Sequence, residues 1–122
     1  MILSRLEVKN YLYNAGFKGF NLEAAINICF CESGFNTNAH NTTGEDSRGL
    51  MQINVNAHPY YSGLDLFNPQ INCNCAFEIF TRAGNKFTDW SCANTIFLKN
   101  PMFFIGAGVA FLGIAVYIYA AR

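Results

Sequence analysis

The sequence predicts a small, mainly α domain with a short hairpin or irregular β region, followed by one C-terminal transmembrane helix. Three observations predict it. Apolar residues recur at helical spacing in three segments, each opened by a capping residue and closed near a glycine. A polar run rich in Asn, Thr and Gly, "NTNAHNTTGEDSR" at 36–48, separates the second helix from the third. An uncharged apolar stretch of 19 residues, "MFFIGAGVAFLGIAVYIYA", occupies Met102–Ala120.

Size and charge set outer limits. The 122 residues suffice for one small domain, and 8 acidic against 8 basic side chains, with no block of like charge, leave no electrostatic footprint for nucleic acid. Hydrophobic content of 52% is high for a soluble domain, and most of the excess lies at the C-terminal end. The chain therefore divides into a globular domain over 1–93, a juxtamembrane linker over 94–101 and a transmembrane helix over 102–121.

Ser4 with Glu7 three residues later forms a capping-box pattern, and the helix it opens runs until Gly16. The second helix is expected to begin near Asn21, a good N-cap. Its Ala25, Ile28, Cys29 and Glu32 follow i, i+3, i+4, i+7 spacing, which puts Glu32 on the buried stripe, and Gly34 suits the left-handed position that ends helices. The polar run and "GLMQIN" at 49–54 come next, then a looser aromatic segment with Pro59, Tyr60 and Tyr61. Asn68-Pro69 is an N-cap with Pro at the first helical position, so a third helix starts there, with Cys73, Ala76, Phe77 and Phe80 as its apolar stripe and Gly84 as its stop.

At about 1.5 Å per residue the apolar stretch reaches across the roughly 30 Å hydrocarbon core of a bilayer. A domain this small could not surround a helix apolar on every face. Lys99 and Arg122 flank the span, Pro101 suits its first turn, and Tyr117 and Tyr119 suit an interfacial belt. Charges at positions 5, 7 and 9 interrupt the N-terminal segment, which therefore lacks the apolar core of a signal peptide. The expected topology is tail-anchored.

The five cysteines (Cys29, Cys31, Cys73, Cys75, Cys92) are an odd number, leaving at least one free thiol or an intermolecular link. The C-x-C pairs are closer than structural zinc ligands usually stand, and no His lies nearby in sequence, so neither metal nor cofactor is expected. Cys29 is expected in the core or in a disulfide to another helix, with Cys92 the favoured mate and Cys31 the odd thiol.

Glu32 is the residue with the clearest chemistry. A carboxylate at a helix C-terminus faces the negative pole of the macrodipole, and apolar neighbours remove water from it, so both influences favour its protonated form. A general acid needs that state to protonate a leaving oxygen near neutral pH. The bland alternative is a partly solvated residue at a helix boundary.

The runs "CESGFNTNAHN", "SRGLMQIN" and "NPQINCNCAFEIFTRAGNKFTDWSC" resemble, in that order, the lysozyme superfamily over residues 21–92. "ESGFN" followed by "RGLMQIN" is similar to lytic transglycosylase (SLT-type) domains, while "ESGFNT", "QIN" and "NCAFEI" are similar to animal c-type lysozymes. The resemblance implies an α+β lysozyme-like fold with Glu32 as catalytic acid and Ser33 as its hydrogen-bonding neighbour. It implies a sugar cleft lined by Gln52 and Asn54, with Trp90 as the aromatic near it; Ser33, Ser47, Met51 and Tyr60 are further candidates for substrate contact. Ser47 falls where c-type lysozymes place their second carboxylate, and Asp46, one residue away, is the candidate for that role. Without the resemblance, Gln52 and Asn54 could be turn or strand-edge groups satisfying backbone, Trp90 could be core, and His40 and His58 read as surface residues.

A hydrolase of the usual kind needs two carboxylates about the bond. A lytic transglycosylase, by analogy, works with one. The Glu-Ser pair and the Gly-Leu-Met-Gln run favour the transglycosylase, although "FTDWSC" stands where many such enzymes carry Ala-Tyr-Asn. The expected function is cleavage of the β-1,4 bond between N-acetylmuramic acid and N-acetylglucosamine in peptidoglycan. The alternatives are a muramidase, a non-catalytic glycan-binding or structural membrane protein, and a fusion or assembly protein using the aromatic loop "HPYYSGLDLF". Expected partners are peptidoglycan strands, a lipid bilayer at 102–121 and, in a bacteriophage virion with an internal membrane, capsid or other membrane proteins. The bacterial inner membrane, with the domain facing the periplasm, is the other expected setting.

Overall fold

The computed structural model describes the backbone of residues 1–99 and the side chains of residues 1–95. The elements in order are α1 (Arg5–Ala15), α2 (Gly19–Ser33), β1 (His40–Asn41), β2 (Ser47–Arg48), β3 (Ile53–Asn54), a single 3-10 turn (Pro59–Tyr61), α3 (Pro69–Arg82) and α4 (Ser91–Lys99). The strands form one antiparallel sheet in the order β1-β2-β3, with His40 opposite Arg48 and Ser47 opposite Asn54. This is the mainly helical α+β architecture expected. The chain forms two compact units, Met1–Glu78 and the residues from Ile79 onward.

Local signals act where the sequence places them. At α1, the Glu7 N–H donates to Ser4 Oγ at 3.1 Å and the Ser4 N–H donates to Glu7 Oε1 at 2.9 Å, the reciprocal capping box. At α3, Asn68 Oδ1 accepts from the N–H groups of Gln70 and Ile71 at 3.0 and 3.1 Å, ahead of Pro69. The start of α2 differs from the expectation. Its N-cap is Lys18, with no side-chain cap, and Asn21 lies inside the helix. The added turn comprises Gly19, Phe20 and Asn21, and it closes with the Leu22 N–H donating to the Lys18 carbonyl at 3.2 Å.

The apolar stretch at 102–120, read above as transmembrane, lies outside the described residues. Among the described residues no helix is long and apolar enough to cross a membrane. The segment read as a linker at 94–101 is helical as far as Lys99, because α4 begins at Ser91.

In the first unit, Val8 and Leu12 of α1 and Leu22, Ala25, Ile26, Ile28 and Cys29 of α2 are buried, together with Leu50, Met51 and Ile53 from the sheet region. A fully buried polar residue, Asn72 of α3, joins this core to the turn between β2 and β3. Its Oδ1 accepts from the Met51 N–H at 2.8 Å, and its Nδ2 donates to the carbonyls of Arg48 at 2.8 Å and Leu66 at 2.9 Å. Gly49 makes the approach feasible. Its φ is 74°, and a Cβ there would collide with the Leu66 carbonyl and the Asn72 amide.

Asn72→Ala strips three buried backbone groups of their partner and is expected to cost about 3 kcal/mol, read as a lowered denaturant midpoint at unchanged slope. Gly49→Ala, which meets both the collision and the positive φ, is expected to destabilise by a similar amount in the same assay.

Candidate active site

Glu32 lies in the last turn of α2, and the way the chain leaves that helix fixes its position. Gly34 is left-handed (φ 61°, ψ 29°), and its N–H returns to the Phe30 carbonyl at 2.8 Å. Phe35 follows with φ 64°, a conformation that favours glycine, yet its side chain is buried. The N-terminal segment holds this turn. The Leu3 N–H donates to the Phe35 carbonyl and the Thr37 N–H to the Met1 carbonyl, both at 2.9 Å, with Ile2 bridging to Asn36.

The buried stripe of α2 extends through Cys29 but stops short of Glu32. Phe30 and Cys31 are exposed, and Glu32 and Ser33 are half-buried, so the last turn stands at the edge of the core. The hydroxyl of Ser33, expected beside the acid, donates to the Cys29 carbonyl at 3.0 Å. Cys29 itself points inward and donates to the Leu50 carbonyl at 3.4 Å. Burial pushes its thiol up to about 12; the Ser33 hydroxyl opposes this and the charge of Glu32 adds to it.

Cys29 takes the core position that was one of its two expected places, while the expected disulfide at Cys29 and odd thiol at Cys31 are corrected. Cys29, Cys73 and Cys75 are free and buried, whereas Cys31 and Cys92 are disulfide-bonded. Two residues along a helix is a turn of about 200°, so Cys31 faces away from the core that Cys29 enters.

On the sheet, the carboxylate considered as a second catalytic group is already engaged. Asp46 accepts from Arg48 Nε at 2.9 Å and from the other arm of the same guanidinium at 2.8 Å, and it meets His40 Nε2 at 2.7 Å. The Arg48 hydrogen bonds, followed by that from His40, hold the Asp46 carboxyl well below the usual range. Asp46 is thus ionised, neutralised and anchored across β1 and β2. The His40 ring also packs edge-on to Phe67, with centroids 5.5 Å apart. Its neighbour Glu45 is bonded differently, accepting from Asn41 Nδ2 at 2.6 Å and from the hydroxyl of buried Ser47 at 2.8 Å.

The remaining expected site residues divide by exposure. Gln52 and Asn54 are half-buried and both serve backbone. Gln52 Nε2 donates to the carbonyls of Ala39 and Gly49 at 3.1 and 2.9 Å, and Asn54 Oδ1 accepts from the Asp46 and Asn56 N–H groups at 3.4 and 3.0 Å. Met51 is wholly buried, so its side chain belongs to the core and not to a sugar-binding surface. Tyr60 is 78% exposed, edge-on to buried Tyr61, and offers a ring to a ligand. Trp90 belongs to the second unit, where it is buried against Phe87 and leaves no open ring face.

Sequence reasoning missed Asn72 and Arg48. The signal for Asn72 was available, since an Asn four residues before Ala76 lies on the apolar stripe of α3. Among the described residues, no group of three or more His, Cys, Asp or Glu side chains is placed to share a metal ion.

A helix-terminal glutamate, a small antiparallel sheet and a buried amide that locks the Gly-Leu-Met-Gln turn are what a lysozyme-like domain would supply. The chain belongs to that family: the family model described as a lysozyme like domain matches residues 9–92, more than half of its length. No curated protein and no solved structure gives a match. The family is one of glycosidic-bond cleavage, with peptidoglycan glycan as the general class of substrate.

Because its depressed pKa favours the folded state above the ordinary carboxylate range, the Asp46 contribution is lost as pH falls through its folded value. In Arg48→Gln the carboxyl titration, followed by NMR, is expected to move up toward about 3.9, and acid unfolding is expected to begin at higher pH.

Proposed function

We propose that the protein is a peptidoglycan lytic transglycosylase in which Glu32 is the sole catalytic acid and base. One observation supports a single-carboxylate scheme above the others: Asp46 is tied to Arg48 and His40, so it is poorly suited to act as nucleophile or base. In this scheme Glu32 donates its proton to the oxygen linking N-acetylmuramic acid to N-acetylglucosamine as the C–O bond breaks. The substrate's own N-acetyl group stabilises the cation. The Glu32 carboxylate then removes the proton of the 6-hydroxyl, whose oxygen closes on the anomeric carbon to give a 1,6-anhydro sugar and restore the acid. Tyr60 offers a stacking surface for the glycan, and the half-buried amides of Gln52 and Asn54 stand on the same unit.

Glu45 supports a second reading. Its carboxylate is held by the neutral donors Asn41 and Ser47, with no cation among these partners, which suits it to serve a muramidase as second carboxylate. The apolar stretch at 102–120 supports a bilayer anchor, and a tail-anchored wall-cutting domain suits local penetration during bacteriophage entry from a membrane-containing virion.

Digestion of purified peptidoglycan, followed by mass analysis, separates these readings. Anhydro-muropeptides are expected; products with reducing ends would establish the hydrolase, and no product from folded protein would sink the enzyme reading. Glu32→Gln is expected to lower turnover by about 10²–10⁴-fold with the fold intact. Asp46→Asn is expected to lower stability while leaving the product type unchanged.

A further inference from the structure

We propose that the outward face of the α1–α2 pair rests on the surface of an anionic lipid bilayer; the inference rests on residues 102–120 anchoring the chain in that bilayer. On this face Ile2 is 73%, Leu6 66%, Tyr13 51% and Phe30 61% exposed. Around α1, Leu6 stands about 200° from buried Val8, and Tyr13, seven residues on, returns to within about 20° of Leu6. Two polar contacts set the helices antiparallel: Arg5 Nη2 donates to Asn27 Oδ1 at 2.9 Å, and Lys9 Nζ lies 3.9 Å from Glu23 Oε1. Leu6, beside Arg5, and Phe30, nearly one turn beyond Asn27, therefore share one end of the pair. Ile2 joins them there through its bridge to Asn36, and the Phe30 ring packs edge-on to Phe35 with centroids 5.1 Å apart while its other side stays open.

Charge identifies the occupant. Residues 1–20 carry three cations, Arg5, Lys9 and Lys18, and one acid, Glu7, whereas residues 32–78 carry five acids and one cation. Glu7 is engaged in the capping box, accepting from the Ser4 N–H at 2.9 Å. Lys18 extends over Tyr13, its Nζ 3.4 Å from the ring centroid and donating to the Tyr13 carbonyl at 2.7 Å, so an aromatic and a cation stand together as they do at a headgroup layer. Apolar side chains edged by cations suit anionic headgroups over a hydrocarbon interior. A second copy of the same face would set cations against cations.

The test uses the full chain, methyl-labelled for NMR and held in lipid nanodiscs that carry a nitroxide on their headgroups. In discs of phosphatidylcholine mixed with phosphatidylglycerol, the methyl signals of Ile2 and Leu6 are expected to broaden to loss. In phosphatidylcholine alone, or in the mixed discs at high salt, they are expected to persist. Leu6→Glu, a change at an exposed position, should restore the Ile2 signal in the mixed discs. Equal broadening in the two lipids, or broadening that Leu6→Glu does not relieve, overturns the proposal. A detergent-solubilised dimer that Leu6→Glu dissociates also overturns it, because a second copy then covers the face. If phosphatidylcholine vesicles do not retain the chain, the anchor reading fails and flotation with phosphatidylglycerol vesicles decides the docking: capture that Leu6→Glu abolishes supports it, and no capture overturns it.

Discussion

The side-chain amide of Asn72 is the interaction on which the first unit depends. One fully buried group satisfies an N–H from Met51 and carbonyls from Arg48 and Leu66. A turn between two-residue strands has almost no ladder of its own, so it needs a partner from elsewhere. The neighbouring carbonyl, that of Leu50, receives the Cys29 thiol from α2. The turn is thereby fastened to α3 on one side and to the helix bearing Glu32 on the other. Glycine at position 49 is the steric condition for this arrangement.

The carboxylates near the sheet show how neighbours assign roles to similar groups. Asp46 and Glu45 are adjacent in sequence, yet one is held by a guanidinium and an imidazole and the other by an amide and a hydroxyl. The first partners oppose the charge of Asp46 and lower its proton affinity, whereas the second are neutral donors. Glu32 belongs to a different element, the half-buried last turn of α2.

What the sequence disclosed follows from the range of each interaction. The Ser4–Glu7 box, the left-handed Gly34 and the Asn68-Pro69 cap operate within a few residues and were legible in advance. The early start of α2 was not, because Lys18 at its N-cap offers no side-chain acceptor and so leaves no capping signal to read. Met51 and Trp90 matched positions of a sugar cleft by resemblance, but burial belongs to the folded surface and motif spacing does not report it. The same holds for Cys29 and Cys31, where helical phase sends one thiol inward and the other out. The ion pairs of Asp46 arise from strand register, which two-residue strands in a polar run do not announce.

The clamp between Met1–Leu3 and Phe35–Thr37 has a consequence for order of folding. A non-glycine residue in the left-handed region, as Phe35 is, persists when surrounding contacts over-determine it, and here those contacts come from the segment that precedes α1. The exit from α2 therefore cannot settle until α1 and α2 have packed and brought residues 1–3 alongside 35–37. Helix pairing is thus a condition for the geometry around Glu32.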